Sequence, residues 1–264
     1  MSINTTRHTV KGFSLVELSI VLVILGLLVG GVLSGQALIR AAELRAIPTE
    51  YQRLTAAAQS FRDKYFSYPG DMINATSFWG TAAACPGTSA TPSTDATTCN
   101  GNGDGIFSLT ASSYEYFRFF QQLANAGLIE GRYSGVTAGA TQWDALAGVN
   151  FMRSKLSNAK WGMHTRGGPV VSNPGGLWDG MYGTIVTFGE NASSPSSHET
   201  AILKPEEAWN IDTKIDDGRP GMGKVWGQGW AGCSDATASN QNATANYRLN
   251  SSSIACALVF TNVF

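Results

Sequence analysis

At 264 residues the chain has room for one large or two small domains, and its charge is nearly balanced, with 18 basic and 19 acidic residues. Charged side chains make up only 14% of it, and no clustered run of Lys and Arg occurs. Binding to a phosphate backbone needs such clusters, so no nucleic-acid partner is expected. The 30 glycines and abundant Ser, Thr, Asn and Ala suit a β-rich, loop-rich extracytoplasmic domain. Seven Trp and twelve Phe can fill a sizeable core.

The chain opens with polar residues carrying Arg7, His8 and Lys11, then reads Lys11-Gly12-Phe13-Ser14-Leu15-Val16-Glu17-Leu18. No charged residue follows from Leu18 to Ile39. As a helix rising ~1.5 Å per residue, that run reaches roughly 33 Å, enough to cross a bilayer core of about 30 Å. Glu17 is the odd residue. A carboxylate in a membrane helix costs about 2.5–3.5 kcal/mol on insertion scales, so a partner for it is expected.

The string KGFSLVEL resembles the cleavage and methylation site of type IV pilins and type II secretion pseudopilins. The resemblance implies that a prepilin peptidase cuts after Gly12 on the cytoplasmic side and methylates the new terminal amine of Phe13. It also implies an assembly role for Glu17, whose carboxylate would meet the terminal amine of a neighbouring subunit. An acid and an ammonium in hydrocarbon are each tolerable only when paired. Two plainer readings compete. A secretory signal peptide cut near Gly35-Gln36-Ala37 would share the basic start and apolar core, but not the acid at its mouth. A simple anchor explains the length of the run, but not Gly12-Phe13 or Glu17.

Beyond the apolar run, Leu44, Ile47, Tyr51, Leu54, Ala58, Phe61 and Tyr65 form a stripe in steps of three and four, with polar residues on the other faces. One helix is therefore predicted from Phe13 to about Ser67, with 13–39 in the membrane and 40–67 facing the core. Pro48 should kink it or loosen one turn. Tyr68-Pro69 ends it, because the residue before proline is driven out of helix. Residues 1–12 form the leader and 68–264 the globular domain.

Cys85, Cys99, Cys233 and Cys256 lack metal-site or CxxC spacing. Local disulfides Cys85–Cys99 and Cys233–Cys256 are the simplest of three connectivities, each adding about 3 kcal/mol in the chain-entropy model; four buried thiols are the alternative. Asn100-Gly101-Asn102-Gly103-Asp104-Gly105 begins like a calcium loop, with oxygens on Asn100, Asn102 and Asp104 at alternate positions. The twelfth position holds Ala111 where the full pattern wants an acid, so a tight Asn-Gly turn competes with calcium.

Tyr114 to Ile129 reads as an amphipathic helix, with a stop at Gly127, that covers a face of the sheet. β-prone runs follow at Gly168–Ser172, Met181–Phe188 and Ala255–Phe264. Glu199 to Asp217 reads as another helix, with Pro205, Glu206 and Glu207 in its first turn and a stop at Gly218. Asp212, Asp216 and Asp217 read as a solvated helix end, with a cation as the alternative. The segment Gly218–Lys224 fits part of a P-loop but lacks the hydroxyl at Val225, and His198-Glu199 lacks the second His of a zinc protease, so no enzyme is predicted.

The predicted class is α+β and, by the resemblance, pilin-like: a long N-terminal helix on an antiparallel sheet, with short extra helices and disulfide-tied loops. The final cysteine pair resembles the disulfide-bounded C-terminal region of type IV pilins. The expected partners are prepilin peptidase, other pilin or pseudopilin subunits, an inner-membrane assembly platform and lipid. The expected location is the bacterial inner membrane, with the globular domain in the periplasm, and then a pseudopilus or pilus filament. A chain longer than most major pilins points to a minor subunit, and Glu17 argues against the large tip pseudopilin, which usually lacks it. An adhesin-like minor pilin gripping a glycan with its Trp side chains is the alternative.

Overall fold

The structure is a computed structural model that describes residues 12, 14–82, 85, 96–107, 115–137, 144–170, 178, 180–192, 200–228, 230–236 and 245–264. The chain forms two compact units, Met1–Ala42 and Glu43–Phe264. Helix α1 runs Leu15–Tyr65, two residues inside the predicted span at each end. Within the first unit the described residues from Leu15 onward are helical. Pro48 has no N–H to bond the Leu44 carbonyl, yet the helix is assigned without interruption through it. Phe66, at a left-handed φ of 54°, ends the helix while its N–H bonds the Arg62 carbonyl at 2.8 Å.

In the second unit, the predicted stripe is the face that packs. Ile47, Leu54, Ala58 and Phe61 are buried, with Ala57 beside them, and Leu44, Tyr51 and Tyr65 pack at the margin. That face meets an antiparallel sheet of β1 (Met152–Arg153), β2 (Ala159–Val170), β3 (Gly180–Glu190), β4 (Val225–Gln228) and β5 (Ala257–Phe260). The strand order is β1-β2-β3-β5-β4. Tyr51 stacks on Phe260 with ring centroids 4.2 Å apart. Glu50 fixes the register. Its carboxylate accepts the Trp161 indole N–H at 2.8 Å, the Ser154 hydroxyl at 2.7 Å and the Lys155 N–H at 2.7 Å.

Two apolar clusters account for the burial of β3. Val186 and Phe188 belong to the main core with Trp161, Met163, Leu258 and Phe260. Tyr182 and Ile185 join a second cluster with Trp178, Trp226, Ala236, Ala245 and Val259. Covered in this way, β3 reads as a buried run instead of a clean alternation.

Several predicted elements shift. β3 and β5 fall where Met181–Phe188 and Ala255–Phe264 were read, but β2 begins at Ala159, well before the predicted Gly168. The rest of that prediction, 171–172, lies outside the described residues. α4 spans Pro205–Ile215 and opens at the proline read into its first turn, because Leu203 before it is held extended by a two-way backbone bridge to Cys256, each bond 3.0 Å. A Lys204 N–H bond to Glu207 Oε2 at 2.9 Å then opens the helix. Two four-residue helices, α2 (Thr76–Trp79) and α5 (Trp230–Cys233), complete the set among the described residues.

The helix read from Tyr114 is α3, Glu115–Asn125, and its polar side is buried as well as its apolar one: Glu115 through Leu123 all lie inside. Its polar side grips loop backbone. Gln121 donates to the carbonyls of Thr97 and Ser134, Gln122 to that of Cys99, and Asn125 to that of Ala96. Those loops are also tied by Cys85–Cys99, while Cys233–Cys256 closes the C-terminal region. Both predicted disulfides form.

Candidate functional site

The first candidate lies at the head of α1. Gly12 is exposed, with open space where a side chain would be. Phe13 lies outside the described residues. Ser14 and Glu17 form a capping box: the Ser14 N–H donates to Glu17 Oε2 at 2.8 Å, and Ser14 Oγ accepts the Val16 N–H at 3.3 Å. Here the S-x-x-E spacing places a carboxylate on the free N–H groups of the first turn, where the helix dipole favours it. Within its own chain Glu17 therefore has one backbone donor.

Below that head every residue from Leu15 to Ser34 is exposed. Sixteen large apolar side chains between Leu15 and Ile39 stand at least half open. At ~1.5–3 kcal/mol for each such side chain brought out of water, burying this surface is worth on the order of 20 kcal/mol or more. The helix is long and apolar enough to cross a membrane.

The second candidate is the turn that reads like a calcium loop. Asn100 Oδ1 accepts the Thr76 N–H at 2.9 Å. Asn102 Oδ1 accepts the Asp104 N–H at 3.0 Å, and its amide donates to Asp104 Oδ2 at 2.8 Å. Of the three predicted ligands only Asp104 enters a carboxylate cluster, with Asp71 and Glu115, whose oxygens lie within 4.8 Å of one another. Asp71 spans the turn, accepting the N–H of Gly103 at 2.7 Å and of Gly105 at 2.9 Å, while Glu115 accepts that of Asn102 at 3.0 Å. Burial pushes the Asp71 carboxyl above its ordinary value, against the pull of those N–H bonds. Gly70 permits the approach, because at φ 91° a side chain there would run into the Glu115 carbonyl. An all-oxygen set of three acids is a donor chemistry that suits calcium.

A third cluster gathers Asp212, Asp216 and Asp217. Asp212 is not a solvated helix end. It is fully buried, accepting the Tyr247 hydroxyl at 2.9 Å and the Gly218 N–H at 3.2 Å, and burial raises its pKa to about 7. Asp216 takes the N–H groups of Lys224 and Val225, so the turn that resembles part of a P-loop is closed by the chain's own acid. Trp161, Trp178 and Trp226 are buried in the two clusters, as core filling requires. His164 is half-buried beside Tyr116, and His198 lies outside the described residues.

Asp71 went unread as a site residue, and Glu115 lies too far beyond the twelfth position of the loop pattern to have been assumed. Asp71 sits in a Pro-Gly-Asp turn, whose simplest reading is the end of a helix, and no spacing rule links it to Asp104. The capping box was in plain view as Ser14-x-x-Glu17, but the apolar run and the cleavage motif accounted for both residues first.

Among known families, the prokaryotic N-terminal methylation motif matches residues 7–33. No curated protein and no solved structure matches the chain.

Proposed function

Given that the chain carries the prepilin-type signature of pilins and pseudopilins, we propose that it is a minor subunit of a type II secretion pseudopilus or a type IV pilus. Prepilin peptidase cuts between Gly12 and Phe13 and methylates Phe13. The apolar half of α1 holds the subunit in the inner membrane, with the globular unit in the periplasm, until the assembly platform draws it into the filament. There the apolar side chains pack against the helices of other subunits, and Glu17 neutralises a neighbour's terminal amine. The observation that carries this reading is an acid set at the mouth of an exposed, uncharged helix inside the matched motif. Two disulfides support a compartment that oxidises thiols.

Mass spectrometry of the full-length protein from cells with and without prepilin peptidase tests it. Peptidase-positive cells should yield a chain beginning at methylated Phe13, and peptidase-negative cells the uncut chain. An intact leader in peptidase-positive cells, or a soluble product trimmed near Ala37, refutes the reading.

Calcium belongs to the same proposal, at the turn of Asp104 with Asp71 and Glu115 as the other acids. The ion would supply positive charge to two buried carboxylates, and the three side chains would hold it. Titration of the chelator-treated protein with calcium should raise its melting temperature, and an Asp104→Asn protein should lose that rise.

A further inference from the structure

The assembly role given to Glu17 leaves open what its carboxylate does before a neighbour arrives. The capping box answers this from two hydrogen bonds. Glu17 Oε2 is held by the Ser14 N–H at 2.8 Å, and Ser14 in turn caps the helix through Oγ on the Val16 N–H. Ser14 stands two residues past the cleavage point, so the bond aims the carboxylate back along the chain toward the end that cutting exposes. Without that bond, Glu17 would enter the membrane among Leu15, Val16, Leu18 and Ile20, all apolar and exposed, with nothing polar on any of them but backbone.

We propose that the backbone N–H at position 14 positions Glu17 for assembly: it keeps Glu17 bonded inside its own chain until the neighbouring subunit's amine displaces that N–H. This rests on the filament reading above and adds a step to it, the exchange of an internal donor for an external one. Two functions of one carboxylate then come apart. Capping needs only an oxygen acceptor at position 17. Pairing with an amine needs the negative charge.

The test uses the mature full-length chain, isotopically labelled and monomeric in detergent micelles, and reads hydrogen exchange at the Ser14 and Val16 amides by NMR. Filament incorporation is scored separately in cells. Glu17→Gln should keep slow exchange at Ser14, because the amide oxygen still accepts, yet fail to enter filaments. Glu17→Ala should fail to enter filaments and exchange at Ser14 about fivefold faster or more, the scale of one lost cap bond. Ser14→Ala keeps the N–H bond to Glu17 and loses the hydroxyl, so it should speed Val16 by a similar factor while still assembling. Equal Ser14 exchange in Glu17→Ala and wild type overturns the proposal, and so does a Glu17→Gln protein that exchanges like Glu17→Ala. Exchange can be read on the uncut chain as well. A failure of processing therefore sinks the filament reading and leaves this measurement standing, while failed exchange with normal processing sinks this proposal alone.

Discussion

Of the four acids on helix α1, Glu17 and Glu50 stand in opposite circumstances. Glu50 has three donors from outside its own helix: an indole, a hydroxyl and a backbone N–H, all supplied by 154–161. Glu17 has one donor from its own first turn, amid side chains that stay open over the whole apolar half. A carboxylate gains little from a fourth donor once three are in place, so Glu50 has a finished environment, and its role is to lock helix to sheet. Glu17 retains most of its capacity to accept bonds. The same residue type is structural at one position and available for assembly at the other, and the surroundings decide which.

The sharpest way to break that contrast is to remove each acid in turn. Glu17→Ala should abolish incorporation into filaments, with no change in the melting temperature of the globular unit. A variant that assembles normally would leave the pairing with a neighbour's amine without support. Glu50→Ala should do the reverse to stability. It leaves the buried Trp161 N–H and the Ser154 hydroxyl without their acceptor, and lost bonds to a charged group cost about 1.5–3 kcal/mol each. A total of about 3–4 kcal/mol lowers the melting temperature by roughly 10 °C at this size, read by thermal circular dichroism. An unchanged melt would show that the clamp at 154–161 is not what holds α1 to the sheet.

Covalent ties should rank just below. Cys233–Cys256 closes a separation of 23 residues, and replacing both cysteines with serine should cost about 3 kcal/mol in the chain-entropy model. The same change at Cys85–Cys99 should cost less than its own chain-entropy value. There, α3 grips the loop backbone independently through Gln121, Gln122 and Asn125. Urea denaturation of the two double variants checks the order, and equal losses would count against the helical grip.

The sequence made some of this legible and hid the rest for identifiable reasons. The stripe from Leu44 to Tyr65 announced the core face of α1 because helical periodicity survives wherever one face is buried. The same rule located α3 but could not show that its polar residues are buried too. They are buried because loop carbonyls, which carry no sequence signal, take the place of water. β1 and β4 have two and four residues, too short for alternation to show. The P-loop fragment was set aside for lacking a hydroxyl, and the structure adds a physical reason: Asp216 occupies the N–H groups that a phosphate would need. The cluster of Asp71, Asp104 and Glu115 joins three segments that only the fold brings together.

The smallest predicted effect concerns an acid that resembles neither Glu17 nor Glu50. Asp212 is buried like a core residue and held by Tyr247 and Gly218, with Asp216 and Asp217 adding negative charge nearby. Burial raises its pKa to about 7, well above the ordinary carboxylate value near 3.8. Between those values the native state binds a proton that the unfolded chain does not. The stabilisation from Asp212 is therefore complete below about pH 4 and disappears as pH rises through about 7. Going from pH 5.5 to 7.5 should cost on the order of 2 kcal/mol. Lys160, buried with its pKa lowered to about 8, works in the opposite direction, but mainly above that window. Urea denaturation at the two pH values, in chelator so that no cation substitutes for the proton, should show the loss in wild type and not in Asp212→Asn. A variant with the same pH dependence as wild type would mean that the proton resides elsewhere. It would also mean that Asp212 reaches the unfolded state with its charge unchanged, leaving the Tyr247 bond as a hydrogen bond to an ionised carboxylate between α4 and the disulfide-bounded tail.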